Sequence, residues 1–466
     1  MEAENGLEAT WKVKQGDIAE QADLVTISKM FSLNLVQYGP YTFEYSRNGR
    51  YLLLGGEKGH VALIDWHKNK LICELNLEEN IRAVCFLHNE TMFSVAQKKN
   101  VYIYDKSGTE LHRLRNHRQP YRLEFLPYHF LLCSVGREGI LRYQDTSTGE
   151  LVAELRSKLG HCVTMAQNPR NAIVFLGHSN GSISLWAPLI TEPLVKMLCH
   201  RGAVTSIVID RSGSFMVTSG EDGCMKVWDL KNKYQLLQTY YVKRPISHLA
   251  LSQTGLLALS FGCHVQIWKD FVHNEAAEPY MLHQLPEGGT IAALAFCPFE
   301  DVLGIGHDQG FSSILVPGSG EAHIDTFAAN PYETKKQRRE ATVQKLLDKI
   351  QPAMIVLDPD SIGTLTKSSK QEHEKDVRAA MDAAKNGSSN TLPDGTEVNI
   401  IGPRSGPKVK RGPIVDKKRL DMQEATRKRL QEEREKKKQR EAQHEAIDNA
   451  GESFAPTSAL DRFKSK

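Results

Sequence analysis

No apolar run in this chain is long enough to cross a bilayer as a helix. Its apolar stretches, such as Leu52–Leu54 and Leu256–Leu259, are strand-sized, far short of the ~20 residues a spanning helix needs. The opening Met1-Glu2-Ala3-Glu4-Asn5-Gly6 lacks the basic start and apolar stretch of a secretory signal. The eight cysteines include no C-x-x-C pair, which removes the usual spacing of a zinc or redox site. They fall about once per forty residues, inside apolar runs such as Val84-Cys85-Phe86, and read as small buried residues in a reducing compartment. There is no G-x-S-x-G elbow and no Gly-Lys-Ser/Thr phosphate loop. Gly55-Gly56-Glu57-Lys58-Gly59 has the glycines of such a loop but not its ending or its helix. No catalytic, metal-ligating or cofactor-binding residues are expected, and no small-molecule substrate.

The chain does carry a split of charge. Residues 1–330 hold 30 Lys+Arg and 34 Asp+Glu, whereas residues 331–466 hold 29 and 22. Residues 401–440 alone hold 15 and 6. Positive charge is therefore gathered late in the chain, where an anionic partner would be met.

The chain also carries a repeat. One unit runs Val204–Ile209, a turn at Asp210–Gly213, Phe215–Gly220, a turn at Glu221–Gly223, and Met225–Asp229, with Gln235–Gln238 as a fourth run. Alternation and turn chemistry of this kind make antiparallel hairpins. The Trp228 position recurs at Ile64, Tyr104, Gln144, Trp186, Trp268 and Leu315, with successive gaps of 40, 40, 42, 42, 40 and 47 residues. Gly59, Gly139, Gly181, Gly223 and Gly310 stand five residues before it, where a tight hairpin turn is needed. Aspartate follows it at 65, 105, 145 and 229. Period and Trp-Asp ending match the WD40 type of repeat. The expected fold is all-β, a seven-bladed WD40 propeller over residues 41–320. Residues 1–40 form an N-terminal extension, in which strand material between Leu24 and Pro40 completes the last blade. His200, Ser219, Asp222 and Trp228 are expected to form the hydrogen-bonded network of one blade. His60, His117, His178 and His307 are expected at turns or rims.

The repeat stops after Val316. Residues 321–360 are expected to hold a short amphipathic helix, with Val343, Leu346, Leu347 and Ile350 on one face and Pro352 ending it. That face could dock on the propeller or on another protein. Residues 361–466 form a basic tail, disordered or ordered by a partner, with a charged helix over 416–446. Lys335, Lys336, Arg338, Arg339, Lys408, Lys410 and Arg411 are the candidate RNA- or partner-contacting residues.

Several runs are far more specific than the repeat. They include Tyr45–Arg50 with Leu52–Gly56, His88–Phe93 with Val95–Lys99, Leu123–Leu132, Leu176–Gly181, Leu198–Gly202, and Asn330–Glu340 with Leu347–Pro352. In these the chain resembles the nucleolar WD-repeat protein family of the small-subunit processome, associated with the U3 small nucleolar ribonucleoprotein. The resemblance implies a non-catalytic scaffold in small-subunit ribosome biogenesis, supporting pre-18S rRNA processing in the nucleolus. It implies pre-ribosomal RNA, the U3 particle and other processome proteins as partners, and no membrane. The propeller alone would equally suit an adaptor of a ubiquitin-ligase or chromatin complex, since fold does not fix function.

Overall fold

The computed structural model describes residues 9–272, 278–285, 288–323, 330 and 332–359. Among these residues the strands form seven four-stranded antiparallel sheets. Blade 1 is Tyr41–Tyr45, Tyr51–Gly56, His60–Asp65 and Lys70–Asn76; blade 5 is Val204–Ile209, Phe215–Gly220, Cys224–Asp229 and Gln235–Tyr241. Blades 2, 3, 4 and 6 start at Ile81, Pro120, Cys162 and His248 and follow the same up-and-down order. The third strand of every blade contains the residue that the repeat equates with Trp228. Each innermost strand touches the next around a closed cycle, and the last, Ile291–Phe296, touches the first, Tyr41–Tyr45.

The ring closes through the N-terminal segment. Ser32–Asn34 pairs antiparallel with Gly310–Ser312 and becomes the outer strand of blade 7. Further bonds hold it there. The Gln15 side chain donates to the Leu315 carbonyl and accepts from the Leu315 N–H, both at 2.9 Å, and Ser313 Oγ donates to the Lys29 carbonyl at 2.8 Å. The start of the chain thus supplies the fourth strand of the last blade and leaves three residues at its edge where the longer strand Gly310–Leu315 would otherwise lie bare.

The five predicted turn glycines all have positive φ, from 71° to 147°. Gly181 shows why: a Cβ there would lie 2.1 Å from the His200 carbonyl oxygen. The second and third strands are buried almost throughout, while outer strands such as Glu110–Leu114 are mostly exposed. The core therefore lies between blades.

Candidate functional site

The blade network is real but composed differently from the sequence reading. In blade 5, His200 Nδ1 bonds Asp222 Oδ1 at 3.1 Å and His200 Nε2 bonds Thr218 Oγ1 at 2.9 Å. Trp228 Nε1 donates to the same Thr218 oxygen at 3.0 Å. Thr218, not Ser219, is thus the link. Successive strand residues point to opposite faces, so Ser219 looks the other way and bonds Thr205 Oγ1 at 2.8 Å. The fully buried Thr218 hydroxyl is held between an imidazole and an indole inside the sheet. Its place is structural, although its neighbours imitate a hydrolase triad.

The histidines expected at rims are buried too. His117 bonds Ser134 at 2.5 Å and Gln144 at 2.7 Å; His178 bonds Ser184 at 2.7 Å, and Ser184 also accepts from Trp186 Nε1. His60 joins Tyr41 to Glu74, and His307 bonds Ser312. Each braces the strands of a single blade, as His200 does in blade 5. In blade 6 the device is missing. Leu259 stands where blade 5 has Thr218, two residues on from the partner of the tryptophan, and the Trp268 indole N–H has no hydrogen-bond partner.

The chain beyond blade 7 crosses the face made by the turns between first and second strands. Thr254 of blade 6 donates to the Gly318 carbonyl at 2.8 Å, and Arg211 of blade 5 pairs with Glu321 at 2.7 Å. After Asn330 the extension lies over blades 2, 3 and 4. Its helix, Lys335–Leu347, starts with a capping box in which Thr334 Oγ1 accepts from the Gln337 N–H and Gln337 Oε1 accepts from the Thr334 N–H. Arg338 pairs with the buried Glu90 at 2.7 Å, and Asn89 Nδ2 donates to Thr342 Oγ1 at 2.7 Å. Lys349 pairs with Asp145 and donates to Ser147 at 2.7 Å. The Ile350 N–H donates to the Tyr128 carbonyl at 2.9 Å, and His129 Nδ1 donates to the Ile350 carbonyl at 3.1 Å. Ile355 then buries itself in the core shared by blades 3, 4 and 5, and Asn171 donates to the Leu357 carbonyl at 3.1 Å.

The helix thus docks on its own propeller, but through its polar side. Arg338, Thr342 and Lys345 lie 3 or 4 residues apart on the inward face, with Lys349 one turn beyond. The apolar set expected to make the contact faces water instead. Val343 is 58% exposed, Leu346 45%, Leu347 75% and Ile350 39%. Arg338, a candidate RNA contact from the sequence, is spent on Glu90. Lys335, Lys336 and Arg339 are exposed. Lys408, Lys410, Arg411, the charged helix 416–446 and the rest of the 361–466 tail lie outside the described residues.

Between the extension and the ends of the first strands of blades 1 to 4 is a cavity of about 160 Å³. Its walls include Glu44, Arg47, Glu124, Glu333 and Lys345. Burial pushes the Glu44 carboxyl up to about 7, against the hydrogen bond it accepts from the Phe86 N–H at 2.7 Å. Burial, and then the neighbouring Glu44 charge, push Glu124 up to about 8. Burial holds the Lys345 ammonium below its usual value. Among the described residues, no group of three or more His, Cys, Asp or Glu side chains is placed to hold a metal ion, and no helix is long and apolar enough to cross a membrane.

A ring of WD blades with a C-terminal strap across one face defines a class: WD-repeat propellers carrying a C-terminal extension. Family models agree on both parts, with a WD domain (G-beta repeat) matched at residues 191–229 and the BING4CT (NUC141) domain at residues 279–358. The chain is 45% identical to U3 small nucleolar RNA-associated protein 7 of Saccharomyces cerevisiae, over 91% of this chain and 80% of that protein. It is 45% identical to human WD repeat-containing protein 46 over 81% of this chain and 62% of that protein, and 41% identical to the mouse protein over 98% and 72%. The chain belongs to the family of these proteins.

Proposed function

We propose that this protein is a non-catalytic scaffold of small-subunit ribosome assembly, acting in the nucleolus within the U3-containing particle that matures pre-18S rRNA. The observation that carries the reading is 45% identity, over 91% of the chain, to a protein named for its association with U3 small nucleolar RNA. The physical picture is consistent with it. A rigid ring bears a strap on one face, and the chain continues into a segment whose residues 401–440 carry 15 basic and 6 acidic residues. In that segment Lys408, Lys410 and Arg411 contact RNA phosphates, gaining affinity through counterion release without reading sequence. The ring and strap supply shape for other processome proteins.

Depleting the protein should lower 18S rRNA and accumulate its unprocessed precursors while leaving 25S/28S rRNA made. A re-expressed chain with K408A, K410A and R411A should bind the particle more weakly, and its release should depend less steeply on salt, by about 2 in the log–log slope if each cation meets one phosphate of single-stranded RNA. Normal 18S production after depletion would refute the assembly role. An unchanged salt slope would refute RNA contact by these three residues.

A further inference from the structure

Among the described residues, the docked extension helix turns one side away from everything that packs on it. At the head of that side stand Lys335, Lys336 and Arg339; toward the tail stand Val343, Leu346 and Leu347. Spacings of 3, 4 and 7 residues put these groups in one ridge. The inward side is secured by polar anchors, Arg338 to Glu90 and Thr342 to Asn89, with Lys349 to Asp145 just beyond the helix. Those anchors fix the rotation of the helix. A half-turn would bury the leucines on the propeller; instead the leucines are held in water.

The head of the ridge is unusually positive. Helix N-termini favour acidic side chains because the macrodipole places positive charge there. Here the first turn has no acid at all and presents exposed lysines. Among the described residues Lys336 pairs with Glu340, 3.8 Å away across an exposed i,i+4 pair, which is worth little in water. Positive charge and apolar area therefore lie end to end on one surface. Nucleic acid would satisfy the head but leave Val343 and Leu347 wet. A plain apolar helix would cover the tail but leave the cations unanswered. A protein helix with apolar residues at i, i+3, i+4 and i+7 and acidic residues at the end facing Lys335 satisfies both.

We infer that this ridge is the docking surface for an acidic amphipathic helix of another protein. The inference goes beyond the scaffold reading and stands or falls separately from the U3 assignment. The test uses the full chain in cells, with the photo-crosslinking residue p-benzoylphenylalanine in place of Leu347, and the same residue in place of the exposed Glu138 on a turn of blade 3 as reference. Position 347 should crosslink to another protein, and the crosslinked peptide should show helical apolar spacing with Asp or Glu at one end. Adding K335E, K336E and R339E should cut that yield about fivefold or more, with the melting temperature of the purified chain unchanged. Crosslinks only to RNA, crosslinks only within this chain, a partner segment without acidic residues, or a yield no higher than at Glu138 would each overturn the proposal. An unaffected yield in the charge-reversed chain would overturn it as well.

Discussion

Removing the Arg338 guanidinium should loosen the extension without unfolding the ring. Glu90 is 8% exposed and Arg338 lies over it at 2.7 Å. Deleting one member of a fully buried pair costs about 3–5 kcal/mol, because the other charge is stranded. The Arg338 side chain keeps 22% of its surface in solvent, so water screens part of that, and about 2 kcal/mol is the expected loss in R338A. That corresponds to a rise of about thirtyfold in the population of the undocked extension. The Ile350 N–H reports it directly, since its hydrogen bond to the Tyr128 carbonyl exists only while the extension is docked. Hydrogen exchange should speed up about thirtyfold there, while amides in the second strand of blade 3, Leu131–Gly136, exchange as before. K336A, at a fully outward position, should be silent. E90Q combined with R338A should recover part of the loss, because no stranded charge remains. Exchange at Ile350 unchanged in R338A would refute the view that this ion pair anchors the strap.

Three further outcomes follow from the ring itself. T218V strips the partner from both His200 Nε2 and Trp228 Nε1, so urea unfolding should show a loss of about 3 kcal/mol, whereas S219A should lose about 1; equal losses would put the network back on Ser219. Stability should peak near pH 6.5 in a thermal melt series. Burial lowers His117, His178 and His248 to about 4, so the unfolded chain takes up protons below the ordinary 6.5 that the folded chain refuses, and stability is lost as pH falls. Glu44 and Glu124, raised to about 7 and about 8, act oppositely: the folded chain keeps protons that the unfolded chain has released, and stability is lost as pH rises toward 8. A melting temperature that is flat or rising between pH 6.5 and 8 would contradict the buried carboxyls. Deleting residues 1–34 removes the strand paired with Gly310–Ser312, and light scattering after gel filtration should show self-association through the bared edge; a monodisperse monomer would show that this closure is dispensable.

Most of the ring could be read from the sequence because its signals are local. Gly181 and Gly223 mark turns by a conformation only glycine takes easily, and Trp186, Trp228 and Trp268 mark third strands at a fixed distance. The blade network was read one residue out of place, since Thr218 and Ser219 differ only in which side of the sheet they face, and small hydroxyls tell little about that. His117 and His178 read as turn or rim residues because nothing local marks their bonds to Gln144, 27 residues on, and to Ser184 in the neighbouring strand. The docking of the extension depends on contacts between residues 186 to 253 positions apart, such as Asn171 with Leu357 and Thr342 with Asn89. An apolar stripe on a helix normally announces the buried side; here polar anchors decided the rotation, and no spacing within the helix could reveal them.

The assembly role is tested most directly by where the full chain travels in a density gradient of cell extract, followed together with U3 RNA. The account predicts that protein and U3 RNA move together as a large complex, and that RNase returns the protein to the position of a free 52.3 kDa chain. Protein that sediments as the free chain before any RNase, with U3 RNA in other fractions, would contradict it.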